Sequence, residues 1–60
     1  MFKLSFKTDS AAFDETPGNE IAIILRNLAY TFDGLPGKFA QAIKDSNGNT
    51  IGRVELTIDT

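Results

Sequence analysis

Hydrophobic and polar positions change period twice along this chain. Residues 1–8 alternate, with Phe2, Leu4 and Phe6 on one side and Lys3, Ser5 and Lys7 on the other. A period of two belongs to a half-buried strand. The Phe side is the inner one, because burying a large apolar group is worth about 1.5–3 kcal/mol. Residues 9–16 read as a loop by composition. Phe13 is too large to leave idle there and is expected to fold back over the start of the next element.

The period then lengthens. Ile21, Ile24, Leu25, Leu28 and Phe32 follow at spacings of three and four, one face of a helix. Ala22 and Ala29 flank that face and permit close approach to a sheet. Thr16 is placed to cap the helix, with Pro17 at the first helical position, where a missing N–H costs nothing. Glu20 suits the positive end of the helix dipole. Asp33-Gly34 stops the helix, with Gly34 free to turn left-handed, and Leu35-Pro36-Gly37 makes the connection.

Alternation returns in residues 38–44 and 50–58, around Asn47-Gly48. Asn-Gly between alternating runs is a strong hairpin signal. A two-residue turn places Phe39 opposite Leu56, Gln41 opposite Val54 and Ile43 opposite Gly52, with Ile51 on the outer face. If Ser46 joins the turn, a three-residue loop with a bulge results.

The expected architecture is α+β: a single domain over residues 1–60, ordered β-α-β-β. One amphipathic helix covers one face of a three-stranded antiparallel sheet of order 2-3-1. That order makes every neighbouring pair antiparallel and permits a right-handed crossover through the helix. The inward set is Phe2, Leu4, Phe6, Ile21, Ile24, Leu25, Leu28, Phe32, Phe39, Ile43, Val54, Leu56 and Ile58.

Composition narrows the chemistry. Sixty residues sit near the lower limit of independent folding. With neither Cys nor His, disulfides and Cys/His zinc sites are excluded, and imidazole and thiolate catalysis with them. The net charge of −2 gives no strong case for nucleic acid. No apolar run approaches the ~20 residues that span a bilayer, and residues 1–8 do not resemble a signal peptide. A cytoplasmic protein without membrane contact or cofactor is therefore expected. Asp9-Ser10 and Asp14-Glu15 lie where loops and caps favour such residues for backbone reasons. Asp45-Ser46-Asn47-Gly48-Asn49 resembles part of a calcium loop but lacks the downstream bidentate Glu, and the same residues suit a turn. One helix and three short strands are expected to enclose no pocket of about 300 Å³, so the reading is not an enzyme.

Two surfaces remain. On the helix, Ile23 and Tyr30 share a face away from the core, with Arg26 and Asn27 beside them. An apolar, aromatic and Arg grouping of this kind is typical of protein-binding surfaces. The bland alternative is that Ile23 edges the core and Tyr30 lies flat over it. On the open sheet face, Lys3, Lys7, Lys44 and Arg53 could meet phosphates, but no aromatic offers a stacking platform. Ala40 and Ala42 leave that face flat enough for a homodimer.

The helix Glu20-Ile21-Ala22-Ile23-Ile24-Leu25-Arg26-Asn27-Leu28-Ala29, preceded by Ala12-Phe13-Asp14 and followed by Asp45-Ser46-Asn47-Gly48-Asn49-Thr50-Ile51-Gly52, resembles a group of very small bacteriophage- and prophage-encoded proteins of uncharacterised function. The resemblance covers most of the chain. It implies a phage origin and expression in a bacterial host, and assigns no site. Tyr30-Thr31-Phe32 stands where that group carries a charged helix tail, which makes the helix more apolar here. The leading reading is an accessory protein that binds a host or phage protein through Ile23, Arg26, Asn27 and Tyr30, with a counter-defence or host-takeover inhibitor as its natural subtype. The alternatives are a nucleic-acid-binding module and a structural homo-oligomer.

Overall fold

The computed structural model describes residues 1–58 and has the expected α+β architecture. Strands β1 (Phe2–Phe6), β2 (Phe39–Lys44) and β3 (Thr50–Leu56) form an antiparallel sheet of order β1-β3-β2. Helix α1 (Pro17–Phe32) covers one face, preceded by a single 3-10 turn, Ala11–Phe13. No helix among the described residues is long and apolar enough to cross a membrane.

The helix begins and ends where its terminal residues dictate. Thr16 is the N-cap and Pro17 follows it, although the Thr16 side chain makes no capping hydrogen bond. The Glu20 N–H donates to the Thr16 carbonyl at 3.1 Å. At the other end Gly34 adopts φ 82°, the left-handed conformation that releases the chain from the helix.

The hairpin register is the expected one: Phe39 with Leu56, Gln41 with Val54, Ile43 with Gly52. The turn is the longer alternative. Lys44 pairs with Thr50, so Ile51 is an extra residue in β3. The Gly48 N–H donates to the Asp45 carbonyl and the Asp45 N–H to the Asn49 carbonyl, both at 3.0 Å, with Gly48 at φ 83°. This corrects the placement of Ile51 on the outer face. The bulge turns its side chain inward, and Ile51 packs against the core.

Phe13, Ile24, Leu28, Ile43 and Val54 form the buried core, with Leu4, Phe6, Ala12, Ile21, Phe32, Phe39 and Ile51 packed around it. Phe13 does fold back over the helix and stacks on Phe6, ring centroids 6.3 Å apart. Three members of the expected inward set are exposed instead: Phe2, Leu25 and Ile58. Leu25 lies at the margin of the helical stripe, and the large side chain supplied from outside that stripe is Phe13. Phe2 is the first residue of β1, and Ile58 lies two residues past the end of β3. Phe2 still meets Phe32 edge-on at 5.4 Å, and Phe32 meets Phe39 at 5.2 Å.

Candidate functional site

An open groove of about 500 Å³ runs between α1 and β2. This corrects the expectation that so few elements leave no sizeable pocket. The helix rests over the central strand, where Val54 is wholly buried, and leaves the edge strand β2 incompletely covered. Ile23, Asn27 and Thr31 recur every fourth residue along the helical wall, with Ile24 and Leu28 deeper. Residues 41–46 form the other wall. The Thr31 hydroxyl donates to the Asn27 carbonyl at 3.0 Å.

One end of the groove is a polar clasp made by two buried carboxylates. Glu20 does more than face the helix dipole. Its carboxylate accepts the Ser46 hydroxyl at 2.6 Å and the Ser46 N–H at 3.0 Å, tying the helix to the hairpin turn. Asp45 accepts the Ser10 hydroxyl at 2.8 Å and the Asn47 and Asn49 N–H groups, each at 2.9 Å. Both oxygens of Asp45, the first acidic residue of the calcium-loop pattern, thus already accept hydrogen bonds from Ser10, Asn47 and Asn49. Among the described residues no three carboxylates gather to hold a metal ion.

Burial alone would raise the Asp45 carboxyl. Hydrogen bonds from Ser10, Asn49 and Asn47 outweigh it and hold the group below its ordinary value. The folded state therefore binds the proton more weakly than the unfolded chain does. The resulting stability is present above the unfolded value of about 3.9 and disappears as pH falls through the lower folded value. The stability difference between the native protein and Asp45→Asn, measured by urea unfolding at a series of pH values, is expected to shrink steadily below about pH 4. A difference constant through that range would contradict this account.

The structure divides the helix residues singled out by sequence. Ile23 and Asn27 line the groove, whereas Arg26 and Tyr30 are exposed outside it. Tyr30 is 82% exposed, so it does not lie flat over the core. The four cations of the phosphate reading are spread out. Lys44 lines the groove and Lys7 lies beyond the end of β1, its N–H donating to the Ile51 carbonyl. Lys3 pairs across the sheet with Glu55, which binds Arg53 at 2.7 Å. Sequence reasoning missed the clasp, because its partners are 26 and 35 residues apart. The place of Glu20 four residues before Ile24, in phase with the apolar stripe, was its one local signal. Comparison with protein-family models, curated proteins and solved structures finds no match.

Proposed function

We propose that the protein acts by binding another protein through the outer face of α1, and not by catalysis. The observation that carries this reading is Tyr30, 82% exposed on a helix whose opposite face packs the core. Arg26 lies one turn before it, and Ile23, 36% exposed, lies two turns before it at the groove rim with Asn27. A large aromatic ring with a guanidinium beside it is the usual composition of an energetic centre in a protein interface. The resemblance to phage-encoded proteins supports a partner in the bacterial cytoplasm, of host or phage origin, and a counter-defence or host-takeover inhibitor as the subtype. The nucleic-acid reading has less support, since Glu55 neutralises part of the cationic sheet face.

The test is affinity capture from bacterial lysate, followed by calorimetry with the purified partner. Tyr30→Ala and Arg26→Glu are expected to keep native stability, since exposed positions tolerate change within about 0.5 kcal/mol. Each is expected to weaken the partner's binding roughly thirtyfold or more. Equal capture by native protein and both folded variants would reject this surface.

A further inference from the structure

The edge of β2 has hydrogen-bonding capacity the fold does not use. The Asp45 N–H and C=O both turn toward β3, where they meet Asn49 and Gly48. In an antiparallel ladder this direction alternates, so Ile43, Gln41 and Phe39 also face β3. Ala40, Ala42 and Lys44 then turn their N–H and C=O groups outward, along an edge that pairs with no other strand among the described residues. Beside it lies the groove. From Glu20 to Thr31 the helical wall is about 17 Å long at ~1.5 Å per residue, the length of about five extended residues.

We infer that β2 pairs antiparallel with β2 of a second copy of this chain, about a two-fold axis at Ala42, joining two sheets into one of six strands. Self-complementarity selects this occupant. In that register Ala42 meets Ala42 of the second copy and Ala40 meets Lys44, so every outward N–H and C=O from 40 to 44 finds a partner. Edge strands are commonly protected by charged side chains, Lys above all, or by Pro; here Lys38 and Lys44 stand at the two ends of the edge, and the positions between them are Phe, Ala, Gln, Ala and Ile. The two Lys44 side chains lie four residues apart along the ladder, about 14 Å, and do not oppose one another. Gln41, exposed on the groove wall, stands diagonal to Gln41 of the second copy, and a carboxamide is its own donor–acceptor complement.

A second copy in this register would close the open side of the groove. Each helix covers its own β3, and two β3 strands separated by three strand spacings are about 14 Å apart. Helices about 10–12 Å across would then leave one narrow seam, into which Ile23, Asn27 and Thr31 of both copies project. Arg26 and Tyr30 stay outside the seam and would be presented twice, whereas Ile23 and Asn27 at the groove rim would be taken into the dimer and no longer offered to another protein.

Sedimentation equilibrium over a concentration series tests the pairing. The native chain is expected to show twice its 6.5 kDa mass. Ala42→Lys places two ammonium groups against each other and against Arg53. It is expected to raise the dissociation constant roughly a hundredfold while circular dichroism stays native. Because the chain has no cysteine, Ala42→Cys gives a single thiol expected to form a disulfide-linked dimer on mild oxidation. A native monomer at millimolar concentration would overturn the inference. So would a dimer whose affinity a folded Ala42→Lys variant leaves unchanged, or an Ala42→Cys variant that does not cross-link. Loss of partner capture by Tyr30→Ala with the dimer intact would separate this inference from the proposed function.

Discussion

Gly52→Ala is expected to cost about 3 kcal/mol or more, the upper end of the range for forcing atoms into a filled space. An added Cβ would fall 2.5 Å from both Cα and Cβ of Phe6 and against the Ser5 carbonyl. These are mainly backbone atoms of β1, so no simple change of rotamer relieves the contact. β1 cannot withdraw without losing its ladder to β3, in which Phe6 pairs with Gly52. A domain of this length has a total stability of about 3–9 kcal/mol at ~0.05–0.15 kcal/mol per residue. The substitution therefore removes much of it, and a large part of the population should unfold under conditions where the native chain is folded. Gly18→Ala is the control. It lies in the first turn of α1 with nothing near the added methyl and should be neutral or gain up to about 1 kcal/mol. Urea midpoints for the two variants test the contrast. A Gly52→Ala midpoint within error of the native value would show that β1 does not approach this closely.

Gly52 also shows how far the sequence could be read. Its pairing with Ile43 was legible, because alternation on both sides of Asn47-Gly48 admits few registers. Its contact with β1 was not, since no local pattern reports how near a third strand lies. Ile51 failed for a related reason. One bulged residue reverses the direction of a side chain, and the bulge depends on how the turn closes. The clasp was hidden by sequence distance: Glu20 and Asp45 each have good local reasons to be where they are, and their longer-range partners appear only in three dimensions. Of the candidate helix residues, the spacing of Ile23, Arg26, Asn27 and Tyr30 located a shared exterior. Only the placement of α1 relative to β2 could divide it into a groove wall and an outer face.

Phe13→Ala is expected to destabilise the protein by about 3–5 kcal/mol, the range for removing a buried ring. The side chain is 4% exposed and sits in the core although its segment is irregular in sequence. It stacks on Phe6 and fills the flank between β1 and the start of α1. The loop around it has few reasons of its own to be ordered. The 3-10 turn is held by the Phe13 N–H to the Ser10 carbonyl at 3.0 Å and the Asp14 N–H to the Ala11 carbonyl at 3.2 Å. Ser10, one end of that turn, is also the donor to Asp45. Removing the ring should therefore loosen the Ser10–Asp45 contact as well as empty part of the core. Phe13→Leu keeps most of the volume and should cost less than about 1.5 kcal/mol. Urea unfolding of both variants, with amide exchange of Asn47 and Asn49 as a second readout, separates the effects. Faster exchange in Phe13→Ala than in Phe13→Leu, measured relative to global stability, is the expected sign that the ring orders the turn at the far end of the clasp. A cost under about 1 kcal/mol for Phe13→Ala would place that side chain outside the core.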